Sequence, residues 1–130
     1  MRLHHVQVAM PRGAEDEARR FYGDALGMTE VEKPADLRAR GGAWFRSHDD
    51  TGAVGAEIHV GVEEPFAPAR KAHPAILLGN VADLEHAAAR LADLGFETDW
   101  SQRHALPGHE RLHTSDAHGN RVELLAVPGA

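Results

Sequence analysis

The sequence predicts an α+β fold in which two βαβββ modules form a cupped mixed β-sheet with the helices outside. The first observation behind this prediction is an internal repeat, because His5 lies 22 residues before Gly27 and His73 lies 22 residues before Gly95. The second is that strand-like alternation and helix-like spacing follow in the same order in both halves of the chain. A repeat of this kind determines the architecture of the chain that carries it.

The chain is expected to form one domain over residues 1–130, with module one at 1–62, a linker at 63–72 and module two at 73–130. A length of 130 residues suffices for one compact domain and is short for two. The linker contains two prolines and several charged residues, which interrupt the regular patterns on either side.

Module one begins with a strand at residues 3–10, where apolar side chains alternate with polar ones. A helix is expected to begin at Glu15, because acidic residues in the first turn are favoured by the helix dipole. Gly27 is well placed to end that helix as the residue after its C-cap. The remaining strands of the module are expected at 29–33, 43–46 and 56–62.

Module two repeats this order. A strand is expected at 73–78 and a helix at 82–94, where apolar residues recur at helical spacing. Three further strands are expected at 97–100, 111–115 and 121–127, with a turn at 116–120 between the last two.

The alternation places potential metal ligands on the faces of the strands that are not apolar. In the last strand of module one, Glu57 and His59 lie opposite the apolar residues, and Glu123 does so in the last strand of the chain. His5 and His73 occupy the same relation in the two opening strands. With the helices covering the apolar faces, four such groups would turn towards a shared concave surface.

Composition excludes several classes of function. The chain has no cysteine, so any metal must be held by nitrogen and oxygen ligands. A formal net charge of −6 argues against a nucleic-acid partner. No apolar run approaches the roughly 20 residues of a membrane span, and the first residues lack the features of a signal peptide, so a cytoplasmic location is expected. Ten histidines favour metal or proton chemistry.

The chain resembles the vicinal oxygen chelate superfamily, which includes glyoxalase I, type I extradiol dioxygenases, fosfomycin-resistance enzymes and bleomycin-resistance proteins. The resemblance covers essentially the whole chain. It rests on Leu-His-His-Val at 3–6, Arg-Phe-Tyr at 20–22, Ala-His at 72–73 and Val-Ala-Asp-Leu at 81–84. The ending D-A-H-G-N-R-V-E-L at 116–124 is similar to the family motif D-P-x-G-N-x-x-E-L, with alanine where proline is usual.

The resemblance implies a divalent metal ion, such as zinc, nickel, iron or manganese, with ligands at His5, His73 and Glu123. The fourth ligand position falls on His59 or on Glu57. We favour His59, because it follows a glycine by four residues, as Glu123 does. A carboxylate is common at this position in glyoxalase I, so a histidine there is a departure from that pattern.

The same resemblance implies several functions. The first is a glyoxalase I-like lyase or isomerase, in which a small oxygenated substrate chelates the metal and Glu123 acts as the base. If only His5, His73 and Glu123 bind the ion, the triad matches iron-dependent ring-cleaving dioxygenases, although these usually carry two copies of the arrangement. The third is a non-catalytic small-molecule binding protein of the bleomycin-resistance type.

A homodimer is the expected assembly, because family members often build each cup from modules of two chains and two-fold dimers are the commonest soluble oligomers. Whether the modules pair within one chain or between chains is left open. Among the other histidines, His4 is expected to be structural and His113 receives no firm role.

Overall fold

The computed structural model describes residues 1–129, and its elements follow the repeat. Module one contains β1 (Val6–Met10), α1 (Glu15–Ala18) continued by a π-helical segment (Arg19–Ala25), β2 (Thr29–Val31), α2 (Ala35–Arg38), β3 (Ala43–His48) and β4 (Val54–Val62). Module two contains β5 (Ala75–Leu77), α3 (Val81–Asp93), β6 (Glu110–Ser115) and β7 (Arg121–Ala126). The α+β prediction is confirmed.

Both sheets are mixed and share one plan. The first has the strand order β1-β4-β3-β2 and the second has the order β5-β7-β6. In each, the opening strand pairs in parallel with the last strand of its module, and the other pairs are antiparallel. The strands β1 and β5 therefore lie at the edges of their sheets.

The second sheet has three strands where four were expected, because residues 97–100 form only a single bridge between Asp99 and His113. The Asp99 side chain accepts a hydrogen bond from the backbone N–H of Ser101 at 2.9 Å. This contact turns the chain immediately after the bridge and ends the pairing.

The helices pack on one face of each sheet and meet each other in a single core. The apolar faces predicted for the last strands are buried, since Ile58 and Val60 in β4 and Val122 and Leu124 in β7 are all at most 2% exposed. Hydrophobic burial of this kind supplies the main driving force for folding. It also places the opposite faces of both sheets, with their ionisable residues, away from the helices.

The first helix differs from the expected α-helix, because residues Arg19–Ala25 form a π-helix. The backbone N–H of Leu26 bonds to the carbonyl of Phe21 at 3.0 Å, which is a five-residue step. Phe21 and Tyr22 are both fully buried, with their rings 4.8 Å apart. Gly27 follows the helix with a φ of +74°, as predicted for a C′ glycine.

A buried polar joint connects the two modules. Asn120 is 1% exposed and donates from Nδ2 to the carbonyl of Ala9 in β1 at 2.7 Å. Its Oδ1 accepts from the backbone N–H of Ala69 at 2.9 Å. The carboxylate of Asp116 accepts from the Tyr22 hydroxyl at 2.7 Å. The turn at 116–120 therefore ties β7 to β1 and to the linker.

Within residues 1–129, no helix is both long enough and apolar enough to cross a membrane.

Candidate metal centre

The module-one half of the candidate site is organised around the ring of His59. The imidazole lies between His5, at 4.0 Å between ring centroids, and Trp44, at 3.9 Å, and both pairs are stacked. The His59 Nε2 atom lies 2.7 Å from Oε2 of Glu57. His4 contacts His5 through their Nδ1 atoms at 2.9 Å.

Both oxygens of Glu57 are occupied. Arg46, its cross-strand partner in β3, donates from Nε to Oε1 at 2.5 Å, while His59 contacts Oε2. Burial alone would raise the pKa of the Glu57 carboxyl, but hydrogen bonds from His59 and Arg46 outweigh it and hold the pKa below its usual range. Glu57 is therefore an ionised carboxylate, although it is only 6% exposed.

Burial lowers the pKa of His59, and the hydrogen bond with Glu57 offsets this only in part. The ring is consequently neutral at pH 7. A neutral imidazole is the form that binds a metal ion.

The module-two half is built around Glu123. Arg111 donates from Nη1 to Oε1 of Glu123 at 2.6 Å, and His113 Nε2 lies 3.3 Å from the same oxygen. His73 Nε2 lies 3.9 Å from Oε2. The Nδ1 atom of His73 lies 2.7 Å from the carbonyl of Lys71, to which it donates. This second-shell bond leaves the His73 Nε2 lone pair directed at the site, as in many metal-binding histidines.

His113 is a site residue to which the sequence assigned no firm role. It lies directly opposite Glu123 in the pairing of β6 with β7 and is 5% exposed. Burial lowers its pKa, and the positive charge of Arg121 lowers it further. The cross-strand register between two predicted strands was the only signal that could have indicated this contact.

The structure brings His5 together with Glu57 and His73 together with Glu123, but neither group of converging ligand atoms includes His59, the favoured fourth ligand. Two groups of three potential ligand atoms lie within 4.8 Å of one another, and these are His4, His5 and Glu57 in module one and His73, His113 and Glu123 in module two. No such group in the described chain, residues 1–129, contains ligands from both modules. His4, expected to be structural, is an exposed member of the first group.

Strand register places His59 and Glu123 at equivalent positions. His59 lies opposite Gln7 in β1, and Glu123 lies opposite Ala75 in β5. Gln7 and Ala75 each follow the leading histidine of their module by two residues. Glu57 does not share this register position, but its carboxylate is the one that lies close to His5 in the first group.

The donor set fits a divalent ion. Imidazole nitrogens combined with carboxylate oxygens suit zinc, nickel, iron and manganese. His59 is neutral, and His73 has a fixed tautomer with a lone pair at the site. Both carboxylates are buried in their half-sites, and each is paired with an arginine.

The fold is that of the vicinal oxygen chelate proteins. The chain belongs to the Glyoxalase/Bleomycin resistance protein/Dioxygenase superfamily, whose sequence model matches residues 2–124. Members of this superfamily generally bind divalent metals and small molecules and often function as dimers. None of the proteins with curated functions matches the chain.

Solved structures extend the comparison. A glyoxalase family protein from Bacillus anthracis is 39% identical, with 98% of this chain and 99% of that chain covered and a TM-score of 0.81. The fosfomycin resistance protein FosX from Listeria monocytogenes is 13% identical over 100% and 94% of the two chains, with a TM-score of 0.70. TnmS3, an antibiotic binding protein from a Streptomyces species, is 19% identical over 98% of each chain, with a TM-score of 0.64. The last two show the shared fold alone.

Proposed function

We propose that the protein is a cytoplasmic, homodimeric, metal-dependent enzyme of glyoxalase I-like lyase or isomerase character. Its substrate would be a small oxygenated molecule that chelates the metal through two adjacent oxygens. The observation that carries this proposal is the pair of half-sites, in each of which imidazoles converge on a buried carboxylate within 4.8 Å.

A dimer would complete the site. The four ligands proposed for the ion are divided between two half-sites, and the edge strands β1 and β5 each have one side available for pairing. Leu77 in β5 is an apolar residue that is 60% exposed, and pairing along this edge would cover it. In a two-fold dimer, His5 and His59 of one chain would meet His73 and Glu123 of the other, and the symmetry would form this site twice.

The hydrogen bonding favours His59 over Glu57 as the fourth ligand. Both oxygens of Glu57 are already occupied by Arg46 and His59, whereas Glu123 keeps Oε2 free of hydrogen bonds within residues 1–129. Glu57 then acts as the carboxylate that orients the ligand His59, a second-shell arrangement common in metal sites.

The ion supplies Lewis-acid polarisation of the substrate oxygens when it is bound. Glu123 is the residue that would move a proton between neighbouring carbons of the substrate. Arg111 holds Oε1 of Glu123 in place, so that Oε2 would be the oxygen available to accept the proton. His73 contributes a lone pair whose direction the Lys71 carbonyl determines.

A second candidate function is sequestration of a small molecule without catalysis. Arg46 and Arg111 each neutralise a buried carboxylate within the chain, so both half-sites are electrostatically satisfied without an ion. A site of this kind could serve as the polar wall of a binding cup. Ring-cleaving dioxygenase activity stays a prediction, and the catechols in the substrate screen below would test it.

Metal content tests the proposal. Protein purified without a histidine tag should contain near-stoichiometric metal by mass spectrometry. The variant His59→Ala should lose it, and Glu57→Gln should weaken metal affinity by about 10- to 100-fold, as expected for a second-shell residue. His86→Ala, at an exposed position of α3, is the matched control and should retain the metal.

The outcomes separate the alternatives. Loss of metal in Glu57→Gln with retention in His59→Ala would assign the carboxylate as the ligand. Absence of metal, with no uptake of Ni²⁺, Zn²⁺, Fe²⁺ or Mn²⁺, would overturn the enzyme proposal in favour of sequestration. Stoichiometric metal on a protein that stays monomeric by light scattering would contradict the shared site. The substrate screen should begin with 2-oxoaldehyde–thiol adducts and catechols.

A further inference from the structure

Three segments of module two each bring one potential metal ligand to the same place. Glu123 lies on β7, the central strand of the second sheet, and His113 is its direct cross-strand partner on β6. On the other side, Glu123 is paired with Ala75 of β5, and His73 precedes Ala75 by two residues. Ligand atoms of the two histidines and the glutamate consequently lie within 4.8 Å of one another.

The separations of these atoms suit a bound ion. Nε2 of His113 lies 3.3 Å from Oε1 of Glu123, and Nε2 of His73 lies 3.9 Å from Oε2. Nitrogen and oxygen ligands bind zinc at roughly 2.0–2.2 Å, so ligand atoms around one ion are about 3–3.5 Å apart. Both distances are close to that range, and the nitrogen of His113 that faces the carboxylate is Nε2.

The corresponding group in module one is less suited to an ion. Both oxygens of Glu57 are engaged, one by Arg46 and the other by His59, and the two histidines of that group are exposed. In module two, Arg111 engages Oε1 of Glu123, while no hydrogen bond within residues 1–129 reaches Oε2. Module two therefore combines two imidazoles with an unengaged oxygen on a buried carboxylate.

The two histidines differ in their support. Nδ1 of His73 donates to the Lys71 carbonyl at 2.7 Å, which leaves Nε2 free to bind an ion. An ion at Nε2 of His113 would leave the proton on Nδ1, which is buried and has no hydrogen-bond partner within residues 1–129. A missing partner of this kind weakens metal affinity by about 10- to 100-fold, and the charge of Arg111 weakens it further. We therefore expect weaker binding than at a fully supported site.

We propose that module two alone binds a divalent ion, through Nε2 of His73, Nε2 of His113 and the carboxylate of Glu123. Two imidazoles and a carboxylate suit zinc, nickel, iron or manganese. Three protein ligands leave coordination positions for substrate or for ligands from module one. The inference rests on the metal dependence of the proposed function, but it requires neither His59 nor a second chain.

Titration of metal-free, ¹⁵N-labelled protein with Zn²⁺ tests this site. Long-range ¹H–¹⁵N spectra of the imidazole rings report which histidine nitrogens bind the ion. We expect one Zn²⁺ per chain, with the Nε2 signals of both His73 and His113 shifted. The same shifts should appear in the His59→Ala variant at higher Zn²⁺ concentration, because module two is intact there.

A pair of substitutions tests His113 as the third ligand. His113→Phe keeps a ring of similar size and removes both nitrogens, so the Zn²⁺ affinity measured by calorimetry should fall by more than about 100-fold, beyond the range of a second-shell residue. His104→Phe is the matched control and should retain the affinity. Nδ1 of His104 also faces a carboxylate, at 3.6 Å from Oε1 of Glu110, but it belongs to neither three-ligand group of residues 1–129. If His113→Phe fails to fold, the ring signals of the unsubstituted protein decide.

Two results would overturn the inference. One is an unchanged Zn²⁺ affinity in folded His113→Phe, and the other is a shift of the His73 signals without a shift at His113. If either occurs while His59→Ala abolishes metal binding, the four-ligand site stands and the module-two site falls. If His113→Phe abolishes Zn²⁺ binding and His59→Ala leaves it unchanged, the module-two site stands and the four-ligand site falls. A lack of Zn²⁺ uptake by the unsubstituted protein would overturn both.

Discussion

Replacement of Asn120 by alanine is expected to open the joint between the two modules. The side chain is 1% exposed and forms three hydrogen bonds. Its Nδ2 donates to the Ala9 carbonyl at 2.7 Å and to Oδ2 of Asp116 at 2.9 Å, and its Oδ1 accepts from the Ala69 backbone N–H at 2.9 Å. Alanine would leave these three groups without their partner.

The expected loss of stability depends on whether each group that loses its Asn120 partner has another hydrogen bond. A buried polar group without a partner costs roughly 1–3 kcal/mol. The Asp116 carboxylate keeps other donors, among them the Tyr22 hydroxyl, so its contribution lies at the low end. The Ala9 carbonyl and the Ala69 N–H would each lose the hydrogen bond that Asn120 supplies. We therefore expect a loss of about 3–5 kcal/mol, a large share of the roughly 5–15 kcal/mol that stabilises a typical domain.

Urea unfolding followed by tryptophan fluorescence measures this loss. Protein concentration must be held constant, because the proposed dimerisation would make stability depend on it. Asn80→Ala is the matched control, since Asn80 caps α3 through one exposed hydrogen bond to the Asp83 N–H at 2.9 Å. Removal of such a cap costs about 1 kcal/mol. Equal losses at the two positions would refute the reasoning that burial at the module joint sets the cost.

Three further outcomes are expected. Gly42→Ala should destabilise the protein by roughly 2–4 kcal/mol in urea unfolding, because φ at this position is +85° and the new Cβ would lie 2.1 Å from the Val60 carbonyl oxygen. Gly52→Ala is the control, since Gly52 has the same φ but open space around it, and it should cost only about 1 kcal/mol. Burial lowers the pKa of His59 below its usual value of about 6.5, so the stability that neutral His59 contributes is complete above pH 6.5 and is lost as the pH falls. Urea unfolding curves at pH 7.5, 6.5 and 5.5 check this, and the free energy of unfolding of a His59→Phe variant should fall less steeply over the same pH range. Leu77→Lys, on the exposed edge strand β5, should shift the proposed dimer towards monomer in light scattering without changing the circular dichroism spectrum.

Much of the fold was accessible from local patterns. The alternation around Ile58 and Val60 predicted a strand with one apolar face, and both residues are buried in β4. The spacing before Gly27 predicted a helix end at a residue of positive φ, which the structure confirms. These elements can be predicted from the sequence because side-chain periodicity and backbone freedom are properties of consecutive residues.

Other features were not accessible. The π-helical form of Arg19–Ala25 has no distinct residue pattern, since both helix types present apolar residues at similar spacing. The residue pattern at 116–120 predicts a turn, but it does not indicate that Asn120 acts through its buried side-chain amide. His113 received no role because its contact with Glu123 depends on the register of two separate strands.

The sequence by itself determined the repeat, the α+β class, the family and the residue types that could hold a metal, because each depends on residue identity and spacing along the chain. Only the tertiary structure decided that His5 lies near Glu57 and His73 near Glu123, that Arg46 and Arg111 engage the two carboxylates, and that His113 contacts Glu123. These are distances between residues brought together by packing and strand register. Local periodicity carries no information about such distances, because the same alternating strand can pair with its neighbours in more than one order and register.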